Sequence, residues 1–180
     1  KYLFLYLLIA IDLLFFYLIF ISKEKKFQFS YLISLEVFIL LLIPHLIWLT
    51  NNDFITIAYG LARTDTTEFQ LLNHIINPTL YILKQIGILV PFFFLLFILL
   101  KKIKFKFNLR DKKLLFLFFI NIVPLLLMLI TSIILGSKIR TMWMTPFYLF
   151  NGLFFVYLFK NYIEIKKINK FLICFIFVFL

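Results

Sequence analysis

The sequence predicts an all-α fold, a polytopic transmembrane helical bundle of about six spans. Hydrophobic residues make up 64% of the 180, and the mean hydropathy is +1.08. A soluble domain carries roughly 45–50% apolar residues, so lipid, not water, is the solvent this composition suits. The apolar residues also come in runs of helix length. Strands of a membrane barrel would run about 10 residues with alternating polarity, whereas these runs are longer and apolar on every side. Finally, the basic residues fall between alternate runs.

A helix rising about 1.5 Å per residue needs roughly 20 apolar residues to cross the hydrocarbon core. The runs at 2–22, 29–49, 78–100, 114–135 and 143–159 meet that length. A sixth, 171–180, starts but stops short. The chain begins with Lys1 rather than Met and ends inside this last run, so it reads as cut at both ends. Residues 1–21 are too long for a signal-peptide core and lack a small-residue cleavage site. With 5 Pro and 4 Gly and no repeat, residues 1–180 read as part of a single transmembrane domain. Pro78 and Pro146 are placed to open helices, where a missing N–H is harmless. Pro91 and Pro124 fall mid-span and predict kinks. Asp12 and Glu36 also lie within spans. A central carboxylate there costs about 2.5–3.5 kcal/mol, which predicts that both face protein or water.

Charge placement gives the spans a direction. Lys23, Lys25 and Lys26 follow the first span. Lys101, Lys102, Lys104, Lys106, Arg110, Lys112 and Lys113 follow the third, and Lys160, Lys166, Lys167 and Lys170 follow the fifth. These connections hold fourteen of the 19 basic residues. The other side carries Lys1, Arg63, Lys138 and Arg140, with Lys84 near the start of the third span. Basic loops stay cytoplasmic, so residues 50–77 and 136–142 are predicted to face outward from a bacterial inner (plasma) membrane. The net charge of +11 then answers to anionic lipid headgroups and topology, and nucleic acid is not a predicted partner. The single Cys174 excludes an intrachain disulfide.

The outward side holds the residues with chemistry. His45 and Trp48 are three apart, hence on one helical face near the interface, and Asp53 follows as the chain leaves the span. Trp48 equally serves as an interfacial anchor, and Asn52 or Asp53 as a helix cap. Ile55, Ala58, Tyr59 and Leu61 predict an amphipathic helix on the outer surface. Asp65, Glu68 and His74 follow without diagnostic spacing, and no two-His helical motif predicts a metal. In the second outer loop Lys138 and Arg140 precede Trp143. Arg binds phosphate oxygens bidentately and Lys adds a point charge, a cradle for a lipid phosphate. Ordinary snorkelling to headgroups is the alternative. No Walker loop, nucleotide fingerprint or serine elbow is present, which argues against ATP-driven or soluble-cofactor chemistry.

Residues 44–54 (PHLIWLTNNDF), Asn73-His74 with Asn77-Pro78, and residues 138–146 (KIRTMWMTP) together resemble the middle of glycosyltransferase family 39. That family includes protein mannosyltransferases and the aminoarabinose transferases of lipid A. The resemblance covers most of this chain, corresponding to about a third of a full-length member. It implies a GT-C architecture that takes a sugar from a polyprenyl-phosphate donor and passes it to a lipid, glycan or protein acceptor at the outer membrane face. It further implies that Lys138 and Arg140 bind the donor phosphate and that His45, Trp48, Asp53 and Trp143 line or brace the cavity. The family's catalytic acidic loop, which acts as base or positions a divalent metal, has no counterpart in these residues and is expected upstream. Asp53 is not assigned that role. A transporter or lipid-linked-substrate flippase is the alternative, using Asp12, Glu36 and Lys84 with kinks at Pro91 and Pro124. A structural scaffold would leave the outer His, Trp, Lys and Arg residues without a purpose.

Overall fold

The computed structural model describes residues 3–23, 28, 30–63, 71–102, 104 and 107–179, excluding the side chains of 30–32, 34 and 61. Lys1, Lys25, Lys26, Lys106, Asp65 and Glu68 therefore lie outside the described residues. Seven α-helices are described: α1 (Phe4–Phe16), α2 (Ser30–Asn51), α3 (Ile55–Ala62), α4 (Asn73–Leu99), α5 (Lys112–Leu135), α6 (Asn151–Phe159) and α7 (Ile168–Phe179). Among the described residues there is no strand beyond a single antiparallel bridge between Leu100 and Ile163.

The central helix is α5. Its buried Leu114, Leu117, Asn121, Pro124, Met128 and Ser132 recur every three or four residues, which draws one continuous stripe along the helix. On one side α1 meets that stripe with Ala10 and Leu14. Tyr6 donates to Thr131 Oγ1 at 3.0 Å near one end, and the rings of Tyr17 and Phe119 lie 6.3 Å apart near the other. The two helices are therefore antiparallel. On its other side α5 meets α4, where the Tyr81 hydroxyl donates to the Leu125 carbonyl at 3.2 Å.

Among the described residues three helical stretches are long and apolar enough to cross a membrane: Phe4–Ile21, Asn73–Leu99 and Lys112–Leu135. The first is α1 with its last turn widened, so that the Ser22 N–H reaches back five residues to the Tyr17 carbonyl at 2.8 Å. The predicted fifth span is not one helix. Thr141–Tyr148 forms a 3-10 segment, and the helical stretch Asn151–Tyr162 leaves it at 52°. Pro146 lies inside that segment rather than opening a helix, because it lacks the N–H that an α-turn would aim at Met142. Counting the bent pair as one crossing gives four. Pro78 likewise does not open α4, which starts five residues earlier at Asn73, and α4 and α5 run unbroken through Pro91 and Pro124.

The elements outside this frame are more loosely held. α2 leans on α1 through an edge-on contact between Phe38 and Phe4, with ring centres 6.4 Å apart. Leu41 on α2 is 75% exposed and Phe177 on α7 is 85% exposed. Apolar exposure on that scale suits lipid. The stretch expected to be helical after the second run forms α3, with Ile55 and Tyr59 exposed and the Arg63 guanidinium 4.3 Å from the Tyr59 ring centre.

Two of the loops that the charges mark, those after α4 and after α6, meet at one end of the bundle. The Lys101 N–H donates to the Tyr162 carbonyl at 2.8 Å, and the Glu164 N–H to the Leu99 carbonyl at 2.9 Å. Lys167 Nζ lies 3.1 Å from Glu164 and 2.8 Å from the Leu100 carbonyl. At the same end Asp111 caps α5, its Oδ1 accepting from the N–H groups of Lys113 and Leu114 at 3.1 and 3.2 Å, while Oδ2 accepts from the Tyr157 hydroxyl at 2.9 Å.

Desolvation works against the Asp111 charge, but these hydrogen bonds and the Lys160 ammonium outweigh it. They hold its pKa below the ordinary 3.8. The fold thus favours the carboxylate, so the cap's contribution is complete above the unfolded-state pKa and is lost as pH falls through the depressed folded value. Asp111→Ala is expected to lower stability by about 1 kcal/mol at neutral pH. The deficit should shrink on acidification below about pH 4, followed by thermal unfolding in detergent.

Candidate functional site

At the opposite end of the bundle, α5 stops at Gly136, whose φ of 60° and ψ of 19° lie in the left-handed region. Gly is the residue that enters that region without strain. The chain then continues outside any helix or strand to Arg140, which is itself extended. Ser137 and Ile139 are buried, while Lys138 and Arg140 are exposed. Alternation of this kind puts two side chains on the same side of an extended segment, so the two cations project together, away from the bundle.

Three side chains pin this segment. Ser132 Oγ donates to the Ser137 carbonyl at 2.8 Å, Asn77 Nδ2 to the Gly136 carbonyl at 2.7 Å, and His74 Nδ1 to the Ile133 carbonyl at 2.7 Å. A carbonyl only accepts, so that last contact places the imidazole proton on Nδ1. The packing is close as well: a Cβ on Gly136 would lie 3.1 Å from His74 Nε2 and 3.4 Å from Asn73 Cβ. The chain beyond is held too. The Trp143 N–H donates to the Arg140 carbonyl at 3.0 Å, and Ile139, Met144 and Phe147 pack with Tyr81 and Met128, with Trp143 against that cluster. The Tyr148 hydroxyl donates to Gln85 Oε1.

The structure thus brings together two of the three segments singled out in the sequence, Asn73–Pro78 and Lys138–Pro146. The third stands apart. His45 and Trp48 do stack, with ring centres 6.1 Å apart and planes 14° off parallel, but α2 makes no extended packing with α4, α5 or the 141–148 segment. Asn52 caps the end of α2 by donating to the Trp48 carbonyl at 2.7 Å. Asp53 is exposed in the turn that follows, at a φ of 48°. Neither Asp12 nor Glu36 is covered by protein; both are exposed. Asp12 falls about 200° around the helix from Ala10, because α1 spends its Ala10–Leu14 stripe on α5.

The sequence singled out His74 and Asn77 through the resemblance, without a clamping role, and passed over Ser132; all three act here as clamps on the Gly136 turn. The signal was Gly136 itself, directly after the last apolar residue of a helix. Among the described residues no three His, Cys, Asp or Glu side chains gather as a metal site. A cavity of about 560 Å³ at the lysine-rich end is apolar throughout and lies among Tyr17, Phe107, Phe118, Phe119 and Phe154. It is remote from Lys138 and Arg140, so we place the polar chemistry at the pinned loop rather than in this cavity. No protein family, curated protein or solved structure matches the chain, and the site is read from its own chemistry.

Proposed function

We propose that this chain is part of a six-span, GT-C-like integral-membrane glycosyltransferase, with the pinned loop holding the phosphate of a polyprenyl-phosphate-linked sugar at the outer membrane face. The observation that carries this reading is the paired projection of exposed Lys138 and Arg140 from a loop fixed by His74, Asn77 and Ser132. Cations held in place need no reorganisation when negative charge develops on a leaving phosphate, and that is where pre-set charge accelerates a reaction. Trp143 braces the loop from below, and the His45–Trp48 pair sits on a separate, lipid-exposed helix where it flanks rather than builds the site. The acceptor is a lipid, glycan or protein hydroxyl or phosphate, and the catalytic carboxylate comes from chain outside these residues.

In the full-length protein, Lys138→Ala with Arg140→Ala is expected to reduce transfer from a polyprenyl-phosphate sugar at least a hundredfold, on the order of 3 kcal/mol. Membrane insertion and thermal stability should stay unchanged, because both side chains are exposed. Radiolabelled sugar transfer in membranes measures it, and full activity in the double variant would remove the phosphate cradle.

A transporter reading draws on a different observation. Gln85 Nε2, Asn121 Oδ1 and Asn151 Oδ1 are buried with no hydrogen-bond partner among the described residues, and such atoms line polar paths in transporters. Asn121→Leu with Asn151→Leu separates the two: transport of a substrate would be lost, whereas sugar transfer would persist.

A further inference from the structure

We infer that one buried water molecule hydrogen-bonds Gln85, Asn121 and Asn151 together and so joins α4, α5 and α6. The three amides share one layer between two apolar clusters. Toward the pinned loop lies the cluster of Tyr81, Met128 and Phe147, and toward the lysine-rich end the cluster of Leu96, Leu117 and Phe154. Gln85 falls between Tyr81 and Leu96 on α4, Asn121 between Leu117 and Met128 on α5, and Asn151 between Phe147 and Phe154 at the start of α6. Contacts between the helices set the level of each. The Tyr81 hydroxyl reaches the Leu125 carbonyl, and one turn further toward the lysine-rich end Gln85 comes level with Asn121. The Phe118 and Phe154 rings lie 6.4 Å apart, and one turn back toward the pinned loop Asn121 comes level with Asn151. Gln85 is 8%, Asn121 0% and Asn151 4% exposed, so bulk water does not serve them.

The hydrogen-bonding capacity left over in this layer matches water. Asn121 Nδ2 donates to the Leu117 carbonyl at 2.7 Å, which turns Oδ1 the other way. The Tyr148 hydroxyl donates to Gln85 Oε1 and leaves Nε2 over. Among the described residues Gln85 Nε2, Asn121 Oδ1 and Asn151 Oδ1 have no hydrogen-bond partner. One donor and two acceptors remain. A water molecule accepts from the donor and gives a proton to each acceptor, and buried waters commonly make about three such bonds. A bridge through water is nearly as favourable as a direct hydrogen bond, whereas amide atoms buried unpaired cost stability. A sodium ion suits the layer less, because Gln85 presents an N–H and no carboxylate is buried among the described residues. Since α4 also carries His74 and Asn77, the water fixes the helix that clamps the pinned loop against α5.

The bridge is the same whether the chain transfers sugar or transports, and its test reads the water alone. A map of the full-length protein in lipid nanodiscs, fine enough to resolve ordered water, should show one peak about 2.7–3.2 Å from Gln85 Nε2, Asn121 Oδ1 and Asn151 Oδ1. The peak should persist when choline replaces sodium in the buffer. Absence of the peak, with the amides bonded to one another or left apart, would overturn the inference. So would a peak that disappears with sodium, which would mark a cation. Equilibrium unfolding in mixed micelles gives a second reading. Asn121→Leu and Asn151→Leu should each raise the unfolding equilibrium constant about tenfold, because each strips a bond from the shared water. The double variant should cost no more than the worse single, since the second change removes a partner of a water already lost. Effects that multiply to about a hundredfold, or stabilisation by either single variant, would show that the amides share nothing. Should the leucine variants fail to fold, the wild-type map decides by itself.

Discussion

Gly136→Val is expected to abolish the function of the outer loop and to destabilise the protein by about 2–4 kcal/mol. Two effects add. At a φ of 60° a β-branched residue is strained, by about 1–2 kcal/mol for the left-handed region alone. Its Cβ would also meet His74 Nε2 at 3.1 Å and Cδ2 at 3.2 Å. His74 cannot swing aside freely, because its Nδ1 is bonded to the Ile133 carbonyl. The loop must move instead, and Lys138 and Arg140 move with it. Gly136→Ala should show a milder form of the same defect. Adding His74→Ala to Gly136→Val should restore part of the stability by removing the clash, though not the dihedral strain. Thermal unfolding of the three variants in detergent separates the two causes, and no recovery in the double variant would show that the His74 contact is unimportant.

Phe154→Ala is expected to cost about 3–5 kcal/mol, the largest purely structural effect in the chain. Its ring is 3% exposed in a cluster with Leu96, Leu100, Leu114, Leu117, Ile120, Leu158 and Phe159. It also lies 5.0 Å from the Phe155 ring centre and 6.4 Å from that of Phe118. The wall beyond Phe154 already borders the apolar cavity. Truncation would enlarge that space rather than let the neighbours close it, which places the cost toward the upper part of the range. Phe154→Leu should lose less than half as much. Equilibrium unfolding in mixed micelles gives both values, with Lys138→Ala, Arg140→Ala as a comparator that stays at wild-type stability.

The parts of this fold that the sequence made legible are those that apolar length and charge decide. Residues 78–100 and 114–135 appear as α4 and α5 to within a few residues, and two of the lysine loops meet at one end because the helices between them are antiparallel. What apolar length cannot reveal is where a helix changes type. Residues 143–159 read as one span, yet Pro146 leaves a 3-10 segment set at 52° to the helix that follows. Pro78 was equally misleading, since Asn73–Asn77 fold as helix before it and supply the clamp. In the site, Lys138 and Arg140 were visible as cations on a side poor in them. Their fixing was not, because it depends on contacts 59 residues apart between α4 and the end of α5.

The bundle has two opposite ends, lysine-rich loops on one and the pinned Lys138–Arg140 loop on the other. Cys174 is the chain's single cysteine, so Cys174→Ser gives a clean background for Met142→Cys beside the loop and Lys102→Cys at the lysine end, both exposed positions. A membrane-impermeant maleimide applied to intact cells should label residue 142 and leave residue 102 unlabelled until the membrane is opened. Labelling of both from outside, or of residue 102 alone, would contradict the arrangement.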